Sequence, residues 1–148
     1  MRVVLQRVKY ASVKVDGELI NEIGHGFLLL VGIKSGEQKS VVEKIAKKIS
    51  TLRIFEDENH KLNRAIKDVQ GEILSISQFT LYADLRKGNR PSFVEAAHRE
   101  EAIELYEYFN KLLSSYDIKV KTGIFGADMK IELLNDGPVT IIIDSSQM

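Results

Sequence analysis

Ser77, Gln78 and Thr80 crowd polar groups at the end of an apolar run, in "SISQFTLYAD" (75–84). Residues of these types at a strand terminus permit two kinds of arrangement. In the plainer one, the hydroxyls satisfy nearby backbone groups. In the other, backbone amides freed around Gln78, Phe79 and Thr80 point at one spot and form an oxyanion hole for acyl chemistry. Thr80 could itself be a nucleophile, but a threonine hydroxyl needs a base, and no His or Lys is paired with it locally. A second stretch, "NDGPVT" (135–140), lies between "IELL" (131–134) and "IIID" (141–144). Asp136-Gly137 is a hairpin signal, because both residues tolerate positive φ. Pro138 follows at once and removes a donor where the second strand should begin to pair. The stretch therefore reads either as a turn with a stiff exit or as a rigid Gly-Pro unit that some chemistry requires.

Other chemistries find little support. The chain has no Cys, so neither disulfides nor thiolate metal sites can form. His25, His60 and His98 are scattered without ligand spacing, and no metal site is expected. "EDENH" (56–60) reads as a solvated turn, and Glu100, Glu101, Glu104 and Glu107 as a wet helix face. "GHG" (24–26) has neither the length nor the Lys of a phosphate loop. Lys plus Arg (21) equals Asp plus Glu (21), so any affinity for a polyanion must come from a local patch. Arg86, Lys87 and Arg90 in the polar loop "ADLRKGNRPS" (83–92) are the candidates, with a merely solvated loop as the alternative.

The elements that must position these residues follow from length and periodicity. A chain of 148 residues, 44% hydrophobic and 28% charged, predicts one globular domain over 1–148. The longest apolar run, "FLLLVGI" (27–33), is too short to span a bilayer, and the start of the chain has no signal-peptide core, so a soluble cytoplasmic protein is expected. β-Branched residues around Asp16-Gly17 predict a hairpin of strands near 2–10 and 12–23. "GFLLLVGI" (26–33) has the profile of a strand buried on both faces. Val41, Val42, Ile45, Ala46, Ile49 and Leu52 recur at helical spacing, with Ser35 and Gln38, or Ser40 and Glu43, as a capping box. A strand over 72–79 and a second helix over 97–115 follow, the latter with Ile103, Tyr106, Phe109, Leu113 and Tyr116 on one stripe. Strands at "IKVKTG" (118–123), 130–134 and 139–144 complete the order β-β-β-α-β-α-β-β-β. The fold class predicted is α/β: a largely β core of mixed and antiparallel sheets covered by two helices, in three layers, α/β/β.

"SQFTL" (77–81) and "NDGPVT" (135–140), in this order and in a chain of this length, closely resemble the two signature motifs of the D-aminoacyl-tRNA deacylases. "LQRVKYASVKVDGE" near the start, "KGNRPSF" (87–93) and "TGIFGADM" (122–129) are similar to that family as well, so the likeness covers essentially the whole chain. The resemblance implies hydrolysis of the ester joining a D-amino acid, or achiral glycine mischarged on tRNA-Ala, to the terminal adenosine of tRNA, as proofreading of translation. It implies a homodimer with neither metal nor cofactor. Gly137-Pro138 would be a cis unit reaching into the partner's site, where its two carbonyls capture the substrate ammonium and leave no room for an L side chain. Arg7 would brace those carbonyls. Ser77, Gln78, Phe79 and Thr80 would form the catalytic pocket, with oxyanion donors near Gln78 and Phe79, and Phe125 and Met129 would line the adenosine pocket. The ribose 2′-hydroxyl beside the ester would be the attacking or activating group, or else Thr80 would be the nucleophile. A non-catalytic RNA-binding module would also use a polar strand end and a basic loop, but it would not require a rigid Gly-Pro.

Overall fold

The computed structural model describes residues 1–148. Strand β1 (Arg2–Val15) alternates buried and half-buried residues, then turns at Asp16 and Gly17, with φ of 51° and 78°, into β2 (Glu18–Ile23). The expected break near residue 11 is absent. Ala11 and Val13 are fully buried, so the inward alternation carries the strand on until Asp16-Gly17 supplies the positive φ a tight hairpin needs.

Strand β3 (Gly26–Gly32) is apolar on both faces because both are covered: Phe27, Leu29 and Val31 join the larger core cluster, and Leu28 the smaller. Helix α1 (Lys39–Thr51) follows and buries Val42, Ile45, Ala46 and Ile49. Neither expected capping box forms. Gln38 takes the cap position without a side-chain bond, Ser40 lies inside the helix, and the Ser35 amide bonds to the Glu95 carbonyl. A short hairpin of β4 (Arg53–Glu56) and β5 (Leu62–Ala65), not foreseen from the sequence, follows, with residues 57–61 as its turn. Asp57 accepts the amides of Asn59 and Lys61 there, which makes "EDENH" the solvated turn expected.

Strand β6 (Glu72–Ser77) lies parallel to β3, and β7 (Lys119–Thr122) parallel to β6, each after a helical crossover. The second helix, α2 (Arg99–Ser115), packs beside α1 and buries Ala102, Leu105, Tyr106, Phe109 and Leu113, while Ile103 and Tyr116 stay half-buried. Strand β8 (Lys130–Asp144) runs antiparallel along nearly all of β1. The sheet order is β2-β1-β3-β6-β7, with β8 on the other side of β1. Asn21 Nδ2 donates to the Thr122 carbonyl and Lys121 Nζ to the Glu22 carbonyl, both at 2.6 Å, linking β2 to β7 so that the sheet nearly closes. The larger core lies between the helices and the sheet, the smaller within the sheet's curl. Each fully buried Leu, Ile or Phe in these layers contributes about 1.5–3 kcal/mol. The architecture is the mixed α/β fold predicted, a strand-rich core with two helices over it. No helix is long and apolar enough to cross a membrane.

"NDGPVT" is not a hairpin turn. Residues on both sides of it pair with β1 in the same direction, Val8 with Asn135 and Gln6 with Thr140. Arg7 alone on β1 therefore faces Asp136, Gly137, Pro138 and Val139, a large bulge within one strand. The reversal fails because "KIELL" and "VTIIID" find the same antiparallel partner. The extra length between them is expelled as a kink, with Gly137 at φ 130° and a cis peptide between Gly137 and Pro138.

Candidate active site

Ser77 ends β6 opposite Val31 of β3, and the next amide, that of Gln78, donates to the Val31 carbonyl at 2.7 Å. The chain then tightens into a 3-10 turn over Phe79–Tyr82, closed by Leu81 N to Gln78 O and Ala83 N to Thr80 O. A 3-10 turn offers no internal carbonyl to its opening amides, so Phe79 and Thr80 present free N–H groups there. This corrects one expectation: the Gln78 amide is consumed by the sheet, and the donors available to an oxyanion are those of Phe79 and Thr80. Thr80 is exposed, and its Oγ1 accepts a hydrogen bond from Gln78 Nε2. No imidazole, amine or carboxylate bonds to it. The Phe79 ring, 58% exposed, meets Phe93 edge-on at 4.9 Å.

The loop between β7 and β8 forms the opposite wall. Phe125, Gly126 and Met129 enclose with Ser77, Gln78 and Phe79 a cavity of about 280 Å³. Phe125 packs on Tyr106 of α2 at 5.7 Å. The Tyr106 hydroxyl donates to the Ser75 carbonyl at 2.7 Å, tying this wall to the floor strand. Five of the residues singled out from the sequence thus line one cavity, whose volume lies just below the roughly 300–1,000 Å³ usual for ligand pockets.

The Gly-Pro bulge is built elsewhere on the chain. Arg7, only 6% exposed, donates from Nε to the Asp136 carbonyl at 3.0 Å and from Nη1 to the Ile54 carbonyl at 2.7 Å. It therefore holds the carbonyl preceding the Gly-Pro unit, and the Asp136 carboxylate is paired at 3.5 Å with both Arg7 and Lys9. Asn135 closes the bulge across its neck: its Oδ1 accepts the Val139 amide at 3.0 Å and its Nδ2 donates to Thr140 Oγ1 at 2.8 Å. Reading the sequence missed this clamp, although the Asn and Thr bracketing the Gly-Pro are its visible signal. Gly137 and Pro138 themselves are exposed. The cavity under the bulge, about 240 Å³, is lined by Arg7, Lys9, His25 and Asp136 among others and by none of residues 77–80. The His25 ring meets Phe55 at a tilt, 4.8 Å between centres, and burial, aided by Lys9, lowers its imidazole below the ordinary value. One chain thus keeps its two motifs in separate cavities.

The basic loop divides. Arg86 forks onto Asp84 at 2.9 and 2.7 Å, and that guanidinium holds the Asp84 carboxyl down to about 2. Arg86 is neutralised where the sequence suggested a phosphate contact, whereas Lys87 and Arg90 are exposed and outside every ion pair. No group of three or more His, Cys, Asp or Glu converges as a metal site would require.

Known proteins resemble this chain over its whole length. Residues 4–144 match the family model described as D-Tyr-tRNA(Tyr) deacylase. The chain is 59% identical over 144 residues to a D-aminoacyl-tRNA deacylase of Lactobacillus acidophilus, covering 97% of this chain and 99% of that one. It is 54% identical over 148 residues to a D-aminoacyl-tRNA deacylase of Thermomicrobium roseum, covering 100% and 96%. Among solved structures it superimposes on the c-Myc DNA Unwinding Element Binding Protein with a TM-score of 0.90 at 42% identity, over 97% of this chain and 98% of that one. A structure described as a "probable eukaryotic D-amino acid tRNA deacylase" shares the fold alone, with a TM-score of 0.84 at 16% identity over 96% and 97%. By its sequence, and by a fold that places both motifs as described, this chain belongs to the D-Tyr-tRNA(Tyr) deacylase family.

Proposed function

We propose that the chain hydrolyses the ester of D-aminoacyl-tRNA, releasing the D-amino acid and free tRNA, and that it does so as a homodimer whose sites are completed across the interface. The observation that carries this reading is the exposed Gly137-Pro138 bulge, clamped by Arg7 and Asn135 yet remote from the cavity its own chain forms at residues 77–79. A rigid pair of backbone carbonyls, delivered into a partner's cavity, would accept the substrate's α-ammonium. The same backbone would occupy the space an L side chain needs, so selectivity comes from excluding the wrong enantiomer. Glycine has no side chain to exclude, and glycine mischarged on tRNA-Ala passes the same filter.

In this reading the ester carbonyl faces the amides of Phe79 and Thr80, which stabilise the developing oxyanion. Ser77 and Gln78 shape the pocket, and the terminal adenosine packs against Phe125 and Met129. Because Thr80 has no base, the ribose 2′-hydroxyl beside the ester activates the attack. No metal and no cofactor takes part, and translation places the enzyme in the cytoplasm. Lys87 and Arg90 meet tRNA phosphates. Replacing both with Ala should flatten the log–log salt dependence of tRNA binding by about 1.4–1.8, at roughly 0.7–0.9 per contact. Arg86→Ala should leave that slope nearly unchanged, because its charge is already matched by Asp84. A binding titration across salt concentrations reads both.

The activity itself is tested by charging tRNA with labelled D- and L-tyrosine and following release in the presence of excess chelator. Rapid release of the D label with the L ester spared is the expected result. Equal release of both, or release only after zinc is restored, would contradict the proposal. A purely RNA-binding module would bind both charged tRNAs and release neither.

A further inference from the structure

Arg99, the first residue of α2, lies over the Phe125 ring with its guanidinium carbon 5.7 Å from the ring centre. Phe125 is therefore held between the buried Tyr106 and the exposed Arg99, so the wall of the 280 Å³ cavity carries a cation at its outer edge. The neighbouring rim residue, Gly126, has φ 77°, and a methyl group there would collide with Arg99 Nη1. The rim is thus shaped so that the guanidinium lies directly across the backbone that lines the cavity.

Several neighbouring charges are paired, while Lys87 and Arg90 of the basic loop stay free. Asp128, on the same rim, pairs with Lys130 at 3.0 Å, Arg86 with Asp84, and Arg2 with Asp144 at 2.7 Å. Arg99 makes no ion pair and no hydrogen bond, and its guanidinium rests on the Phe125 ring alone. A planar guanidinium fork left with its donors free matches a phosphate, which takes two parallel N–H bonds from one guanidinium.

We infer that Arg99 binds the phosphodiester that joins the terminal nucleoside of the substrate to the rest of the tRNA. This rests on the deacylase reading, in which that nucleoside lies against Phe125. Its 5′ side would then leave the cavity over Gly126, where Arg99 is the free cation at the rim. The residue is a substrate-binding one and takes no part in the ester chemistry.

The test compares two D-tyrosyl esters, one on full tRNA and one on adenosine without phosphate, in wild type, Arg99→Gln and Arg99→Lys. Arg99→Gln should raise KM for the tRNA ester about tenfold with kcat unchanged, and lower the log–log salt slope by about 0.7, the value for one phosphate on a single strand. KM for the adenosine ester should not move. Arg99→Lys should restore the salt slope and recover only part of the KM, because it returns the charge without the flat fork. Equal damage to both esters, or none to the tRNA ester in an active protein, overturns the inference while leaving the deacylase reading intact. A wild type that cleaves neither ester removes both.

Discussion

Gly137→Ala should lower kcat/KM for D-aminoacyl-tRNA by roughly a hundredfold, the loss expected when a positioning group moves by about 1 Å. Gly137 has φ 130°, a region a residue with a Cβ enters only at a cost of about 1–3 kcal/mol. The added methyl would lie 2.8 Å from Val139 Cγ2, 3.0 Å from Arg7 Nη2 and 3.1 Å from the Val139 nitrogen. None of these can retreat easily. Arg7 is buried and bonded to two carbonyls, and the Val139 amide is bonded to Asn135. The exposed bulge must then swing outward, taking with it the carbonyls that would receive the substrate ammonium. The fold should survive, because both flanks of the bulge keep their pairing with β1. Steady-state kinetics and a thermal melt separate the two effects. A loss below threefold in a protein of unchanged stability would mean that the bulge does not position substrate.

Removing the 2′-hydroxyl from the substrate's terminal ribose should cost about 10²–10⁴ in rate, the usual contribution of a positioned acid or base. Thr80→Ala should keep activity within about tenfold of wild type, because an unactivated hydroxyl adds little as a nucleophile. The contrast follows from one local fact. Thr80 Oγ1 accepts from Nε2 of the Gln78 side chain, and no base bonds to it, so nothing on this chain draws off its proton. Its backbone amide, unlike its hydroxyl, survives the substitution and would still face the developing oxyanion of the proposed mechanism. Single-turnover hydrolysis of the ribose and deoxyribose esters measures the first effect. An acyl group trapped on Thr80 by rapid quench and mass analysis would contradict it.

The sequence made the fold class legible because its helices are long and amphipathic and β3 is apolar on both faces. The β4–β5 hairpin escaped because "RIFE" and "LNRA" are only four residues each: the first buries two adjacent residues, Ile54 and Phe55, the second is largely exposed, and neither carries an alternation. At 136–139 the turn, one of the two readings the sequence leaves open, does not form, and the reason is deeper. Asp-Gly encodes a local change of direction, but only the partner strand decides whether the chain reverses or merely kinks, and β1 lies more than a hundred residues away. The same limit applies to the strand end. Residues 77–80 showed where free amides would occur, yet which amide the neighbouring strand consumes depended on Val31. Arg86 looked like a phosphate ligand until folding brought the Asp84 carboxylate into its fork.

The central claim is that the bulge of one subunit completes the cavity of the other. It is tested most directly by a mixed dimer, assembled with two different affinity tags from a Gly137→Ala chain and a Phe79→Pro chain. Proline at 79 removes one of the two oxyanion donors and is accommodated at the first position of a helical turn. In such a dimer one site combines an intact cavity with an intact bulge, and the other has both defects. The expected result is about half the wild-type activity per dimer, with each parent homodimer nearly inactive. A mixed dimer as inactive as its parents, or a wild-type chain that is monomeric and fully active, would contradict the shared site.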